Sequence, residues 1–286
     1  CKFIKINFEE IPSIQNETQK LMAGEARALK KLDNFMKNGL IGYEKFRNYP
    51  AKDNTSMLSP HLHFGEISPY QILNKLSLQA TEIAIEDMDC FFRELCWHEF
   101  SIYQFFHNPQ LSQKNINSNF DKFEWEHSEQ KFEAWKNGKT GYPLIDAGMR
   151  QLLKTGYMHN RVRMVSASFL IKNLLIDWRR GASWFMEKLT DADLAANSFN
   201  WQWVTGSGSD SMPYCRIFNP IVQLKKFDPD AQYVKNFIPE LKDLPEKKIF
   251  NNLYTKNYFG YLTYLVDSKT SAKEALSRYK KISILN

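Results

Sequence analysis

Met88-Asp89-Cys90-Phe91-Phe92-Arg93-Glu94-Leu95-Cys96-Trp97-His98-Glu99-Phe100-Ser101-Ile102-Tyr103-Gln104-Phe105-Phe106 is the stretch on which the fold turns. Its apolar positions Phe91, Phe92, Leu95, Cys96, Phe100, Tyr103 and Phe106 recur at intervals of three and four, the period of an α-helix. So apolar a helix predicts burial along much of its length. Upstream, Ala26, Leu29, Leu32, Phe35 and Met36 repeat the pattern among charged residues, and Gly39 can end it. Further helical patterns cover 143–154, 160–176, 182–189, 194–204 and 270–281, separated by Gly, Pro and Asn signals. Residues 42–69 read as irregular chain, with turn and cap chemistry at Asn54-Thr55-Ser56, Ser59-Pro60 and Ser68-Pro69. No alternating strand pattern, internal repeat or low-complexity linker interrupts this, so the expected fold class is all-α.

Composition narrows the function classes. No apolar run approaches the roughly 18 residues that span a bilayer, so no membrane partner is expected. The start, Cys1-Lys2-Phe3-Ile4-Lys5, lacks the apolar segment and cleavage site of a signal peptide, and without an initiator Met it reads as a trimmed or fragmentary chain. Cys1, Cys90, Cys96 and Cys215 form no CxxC pair and have no histidine at a zinc-like spacing. Neither a disulfide framework nor a metal site is expected, and a reducing cytoplasm is the default compartment. A net charge of +6 is compatible with a polyanionic partner but common in ordinary proteins. Seven Trp within a 14% aromatic content invite stacking or redox roles, beside the ordinary reading of core packing.

Three segments are unusual enough to carry chemistry. The run Asn54-Thr55-Ser56-Met57-Leu58-Ser59-Pro60 brings hydroxyls and backbone amides into one loop, suited to phosphate oxygens, or equally to turns and helix caps. Glu94, Trp97 and His98 lie within one turn of the apolar helix, so a carboxylate and an indole share a face, and at least one carboxylate there needs a partner. The ordinary alternative is a core tryptophan with solvated glutamates. From Gly156 to Trp203, His159-Asn160-Arg161-Val162-Arg163-Met164 and Thr190-Asp191-Ala192-Asp193-Leu194 each open a helix, where aspartates can serve as caps. Arg161 and Arg163, two apart, point to different sides, so one can reach a phosphate while the other pairs inward. Trp201-Gln202-Trp203 likewise sends its indoles in different directions.

Together with Asp177-Trp178-Arg179, Gly138-Lys139-Thr140-Gly141-Tyr142-Pro143 and Arg216-Ile217-Phe218-Asn219-Pro220, these segments stand in the order and spacing of the photolyase and cryptochrome family. The resemblance extends from about Gly24 to the C-terminal helix and is nearest to class I photolyases of cyclobutane pyrimidine dimers. It implies a helical FAD-binding and DNA-repair domain over 24–286, a residual interdomain linker over 1–23, and an N-terminal α/β antenna domain, with its antenna chromophore, outside this chain. The implied activity is a lyase reaction in which light and reduced FAD split pyrimidine dimers in damaged DNA, the protein acting as a monomer.

By the same resemblance, Tyr43, Thr55, Ser56, Met57, Leu58, Ser59, Phe91, His98, Arg163, Asp191, Ala192 and Asp193 fall at FAD-contacting positions. Asn197 faces the reactive N5 edge of the flavin. Arg47, Glu94, Trp97, Asn160, Arg161, Val162 and Trp203 match DNA-contacting positions. Glu94 and Asn160 hold the dimer's bases, Trp97 and Trp203 line the pocket that receives them, and Met164 joins the catalytic set. Trp125, Trp178 and Trp201 match a chain of indoles that carries electrons from the surface to oxidised flavin. Trp135 and Trp184 have no such match and read as structural.

Two positions depart from the family pattern: His98 stands where Arg is usual, and Phe91 where Trp is common. A histidine can be neutral at pH 7 and cannot reproduce a bidentate guanidinium. Three other readings compete. A cryptochrome-type light sensor is disfavoured by Asn197, Glu94 and the Trp97/Trp203 pair. A (6-4) photolyase is disfavoured because its histidine pair is replaced by His159-Asn160-Arg161. A helical nucleic-acid-binding module without cofactor leaves the flavin-site pattern unexplained.

Overall fold

The computed structural model describes residues 23–78, 84–251, 260–261 and 263–283, and the expected linker therefore lies almost wholly outside the described residues. Its helices are α1 (Glu25–Asn34, continued by a wide turn to Gly39), α2 (Tyr43–Phe46), α3 (Ser59–His63), α4 (Pro69–Leu78), α5 (Ile85–His107), α6 (Glu129–Lys136) and α7 (Pro143–Thr155). There follow α8 (Asn160–Lys172), α9 (Trp178–Lys188), α10 (Leu194–Thr205), α11 (Pro220–Phe227), α12 (Gln232–Phe237), α13 (Glu246–Asn251) and α14 (Ser268–Ser283). Among the described residues there is no β-strand, no helix long and apolar enough to cross a membrane, and no cluster of side chains able to hold a metal ion.

Local sequence accounts for most helix boundaries. α7 starts on Pro143 and stops at Gly156, which takes the left-handed conformation (φ 68°) and returns its N–H to the Leu152 carbonyl. α9 and α10 are capped by Asp177 and Asp193, whose carboxylates accept from the N–H groups of Arg179 (2.9 Å) and Ala196 (2.7 Å). The Asp177 cap starts α9 earlier than its apolar pattern does. The helix expected to run to residue 176 stops at Lys172, because Leu175 adopts a left-handed backbone (φ 58°) and turns the chain toward α9. The stretch 42–69 is less irregular than expected, since it contains α2 and α3.

The main core fills the space among α6 to α12, with Trp135, Trp178, Val162, Phe169 and Tyr233 fully enclosed. A smaller core joins α1, α2 and α4 to the first half of α5, and a third lies beneath α14. Gly148 permits the α7–α8 approach: a methyl group there would sit 2.3 Å from the Val162 side chain. One expectation fails. α5 is not buried along much of its length, because its neighbours cover one side only, through Cys90, Phe91, Leu95 and Ser101. Phe92, Trp97, Ile102, Tyr103 and Phe106 remain exposed.

Candidate functional site

A cavity of about 700 Å³ separates the two larger cores, walled by α5, α10, the starts of α3 and α8, and the turn between α9 and α10. Of the residues singled out from sequence, Arg47, Ser59, Glu94, Trp97, His98, Asn160, Arg161, Arg163, Met164, Asp191, Ala192, Asp193, Asn197, Trp201 and Trp203 line it. They come from segments far apart in the chain.

At one end sits an ionic knot around the nearly enclosed Asp191 carboxylate. Asp191 Oδ2 accepts from Arg163 (2.9 Å) and from Ser59 Oγ (2.6 Å), tying α8 and α3 to the same turn. Arg163 is held in place by donating through Nε to the Met158 carbonyl (2.6 Å). Burial alone would raise the Asp191 carboxyl, but the charge and hydrogen bond of Arg163, with that of Ser59, hold it below the usual carboxylate range. Its second oxygen, Oδ1, is buried with no hydrogen-bond partner among the described residues. A buried acceptor in that condition is costly unless a donor fills it, so the site fits a ligand that brings hydroxyl or N–H groups. Asp193 is the helix cap and lies 3.6 Å from His63 Nδ1. Asn197 donates to the Ala182 carbonyl (3.0 Å), which fixes the amide and leaves Oδ1 to accept from a ligand.

At the mouth the chemistry changes sign. Arg47 pairs with Glu94 Oε1 at 2.6 Å, supplying the partner that the carboxylate on this helix needs. Arg161 donates to Asn48 Oδ1 (2.6 and 3.2 Å) and stacks on the Phe227 ring at 4.6 Å. Burial, with the like charges of Arg47 and Arg216, holds the Arg161 guanidinium below its usual value. A rim where cations repel one another is suited to an anionic partner. Trp97, 44% exposed, lies beside Phe199 and Phe100 at the same opening. His98 Nδ1 sits 3.1 Å from Glu99. As the spacing implied, Arg163 pairs inward while Arg161 faces the rim; Trp201 and Trp203 both line the cavity, the Trp201 ring packing against Phe185 and Trp135 of the main core.

Other expected contacts are placed elsewhere. Phe91 and Tyr43 pack on each other and on Phe35 inside the smaller core, and the guanidinium of Arg47, a cavity residue, lies 5.3 Å over the Tyr43 ring. Leu58 is buried there too, and Thr55, Ser56 and Met57 lie off the cavity wall, leaving Ser59 as the loop's one lining residue. The Val162 side chain is enclosed in the main core, pressed toward Gly148, and does not line the cavity. Trp178 is fully buried and Trp125 partly buried behind the wall; Trp201 alone of the three lines it. The cavity also recruits residues that the sequence reading missed, among them Arg93, Asn48, Tyr157, Phe199 and Asn200. Arg93 and Asn48 each adjoin a residue already singled out; Phe199 and Asn200 follow from Asn197 only once α10 is wound as a helix.

The profile of the FAD binding domain of DNA photolyase matches residues 91–281. A deoxyribodipyrimidine photo-lyase of Agrobacterium fabrum is 54% identical over 226 residues, covering 79% of this chain and 47% of that protein. The Escherichia coli enzyme of the same name is 41% identical over 262 residues, 90% of this chain and 56% of its own length. Among solved structures, a class III photolyase from Agrobacterium tumefaciens superposes with TM-score 0.88 at 46% identity, covering 93% of this chain and 57% of the other. A Synechocystis cryptochrome gives 0.86 at 30%, covering 97% and 61%. The chain thus spans about half the length of the curated relatives it matches. On the extent of the profile match and on these identities, the chain belongs to the family of FAD-binding domains of DNA photolyases.

Proposed function

We propose that this chain binds FAD in the cavity between its two larger cores and repairs cyclobutane pyrimidine dimers in DNA by light-driven electron transfer. The observation that carries the reading is the polarity of one cavity. The inner end offers a buried, unsatisfied Asp191 oxygen and a fixed Asn197 amide, and the mouth offers Glu94, an exposed indole and an arginine rim. The volume lies within the range of ligand pockets, roughly 300–1,000 Å³. Asp191, Asn197, Ser59, Arg163 and His98 are the residues that hold the cofactor, and bound reduced FAD supplies the light-driven electron that opens the cyclobutane ring.

The remaining work belongs to the protein. A dimer inside a duplex must be turned out of the helix, at a cost of a few kcal/mol that is lower for a damaged base. Trp97 and Trp203 replace the lost stacking, each aromatic face offering ~1–3 kcal/mol per base. Glu94, ionised, is an acceptor only, so it orients pyrimidine N–H groups, and Asn160 adds a donor and an acceptor beside it. Arg47 and Arg161 hold backbone phosphates and contribute the salt-dependent share of affinity. Met164 lies on the same wall. Trp201, Trp178 and Trp125 form the relay for photoreduction, supported by the placement of Trp201 on the cavity wall and of Trp125 toward the surface.

The reading includes a class I enzyme, a repair unit over 24–286 and a monomer acting on chromosomal DNA in the cytoplasm. The free Cys90, Cys96 and Cys215 support a reducing compartment. The test is to reduce the bound flavin anaerobically, add thymine-dimer DNA, illuminate with near-ultraviolet or blue light, and follow thymine absorbance against a dark control. Light-dependent recovery is expected. Bound flavin without recovery would favour a cryptochrome-like sensor, and a colourless protein would overturn the cofactor assignment.

A further inference from the structure

Two of the buried indoles are hydrogen-bonded in different ways. Trp135 makes the ordinary choice, donating Nε1–H to the backbone carbonyl of Ser166 at 3.1 Å. Trp178, fully enclosed, donates instead to a side chain, Asn115 Oδ1, at 2.9 Å. Asn115 in turn donates through Nδ2 to Asp121 Oδ1 at 2.7 Å, and Asp121 is exposed. The orientation of the amide is fixed by its neighbours, since an indole can only donate and a carboxylate accepts. A negative charge at the surface therefore polarises the acceptor that faces a buried indole N–H. Across the same ring lies the opposite influence: the Arg179 guanidinium sits 5.0 Å above Trp178. Its charge is answered by Asp177 at 2.9 Å and by Asp121 at 3.9 Å.

Trp178 also stands close behind the cavity wall. A methyl group on Gly181, one turn along α9 from Trp178, would lie 2.2 Å from the far edge of the Trp201 ring. Trp201 thus packs directly on the turn of α9 that carries Trp178.

We propose that Asn115, backed by Asp121, is a positioning residue that lowers the cost of oxidising Trp178 and so draws an electron vacancy from Trp201 away from the cofactor. This rests on the relay reading above. With oxidised flavin bound as the light-driven acceptor, Trp201 would supply it one electron, and Trp178 would give one electron to Trp201 and become a radical cation. Its Nε1 proton stays in place, shared with Asn115 Oδ1, and a soluble thiol finally returns the electron through Trp125. A hydrogen bond from a cationic N–H is roughly twice as strong as one from a neutral N–H, so the Asn115 bond favours the oxidised indole over the neutral one. An amide polarised by a carboxylate does this better than an isolated carbonyl.

The test compares Asn115→Leu, which keeps the volume and removes the acceptor, with Asn115→Asp, which keeps an acceptor on the indole. With a thiol donor, Asn115→Leu should photoreduce bound oxidised flavin about tenfold more slowly, equivalent to about 1.4 kcal/mol. Asn115→Asp should recover most of that rate, and dimer repair by chemically reduced protein should be unchanged in both. In protein without flavin, the indole N–H resonance of Trp178 should shift upfield in Asn115→Leu and return downfield in Asn115→Asp. A purely structural role for Asn115 would move stability in both variants without separating them in photoreduction. Trp178→Phe distinguishes the two levels of the argument. If that variant photoreduces normally, the relay reading fails; if it is blocked while Asn115→Leu photoreduces at the parental rate, the role of Asn115 is refuted.

Discussion

Replacing Gly181 by alanine sets two effects of known size against each other. In the middle of α9 the exchange favours the helix by about 1 kcal/mol through intrinsic propensity. Against it stands the space the new methyl group must occupy, 2.2 and 2.7 Å from Cη2 and Cζ3 of Trp201 and 2.5 Å from Leu170 Cδ2. Carbon atoms pack at about 3.5–4.0 Å, so the indole must retreat by more than about 1 Å. It has little room to do so: Phe185 lies edge-on at 5.1 Å and Trp135 at 6.3 Å, and Trp201 is 3% exposed. Overpacking of this kind costs about 1–3 kcal/mol and outweighs the propensity gain where the neighbour is a rigid ring. We expect Gly181→Ala to lose about 2 kcal/mol in urea unfolding followed by tryptophan fluorescence. Trp201 also lines the cavity, so a displaced ring should weaken flavin binding as well. The partner is identified by a double-mutant cycle with Trp201→Phe, which deletes Cη2 and Cζ3. The cost of Gly181→Ala should then fall below about 1 kcal/mol, the residue of the Leu170 contact. A Gly181→Ala protein as stable as its parent, or a cost independent of Trp201→Phe, would refute the packing argument.

Three further outcomes follow from the site and its supports. Burial, reinforced by the charges of Arg163 and Arg161, pushes His159 down to about 4, so the folded protein keeps this ring neutral while the unfolded chain protonates it near pH 6.5. Stability from that difference is complete above pH 6.5 and is lost as pH falls toward 4, by roughly 3 kcal/mol. His159→Asn, which retains an acceptor for the Arg161 N–H, should flatten the acid limb of a denaturation series; an unchanged limb would locate the acid sensitivity elsewhere. Glu94→Ala should leave the flavin absorbance spectrum intact and cut the repair yield per absorbed photon, at a cost of about 2–3 kcal/mol in productive dimer binding. Undiminished repair would remove Glu94 from the reaction. Arg161→Ala should weaken binding to damaged and undamaged DNA alike, and lower the slope of log K against log salt by about 1. A loss confined to damaged DNA would make Arg161 a reader of the lesion.

What the sequence determined by itself is the local layer of this protein. The apolar period of three and four marked α5, and the signals at Pro143, Gly156 and Asp193 bound α7 and α10, because a cap or a left-handed turn is made by residues one to four apart; the Asp177 cap that starts α9 before residue 182 emerged only in the structure. The ordered motifs also collected most of the cavity wall before any packing was known. Tertiary structure decided which of those residues face each other. Ser59 meets Asp191 across 132 residues, and Arg47 meets Glu94 although both can read as solvated charges. It also turned the rings of Tyr43 and Phe91 into the smaller core, removed Val162 to the larger one, and left the outer face of α5 in water. Periodicity says that a helix has an apolar side, but not how much neighbouring structure exists to cover it. Nor could spacing disclose the Asn115 bond to Trp178, since a hydrogen bond between residues 63 apart exists only after α9 and the loop behind α5 have packed together.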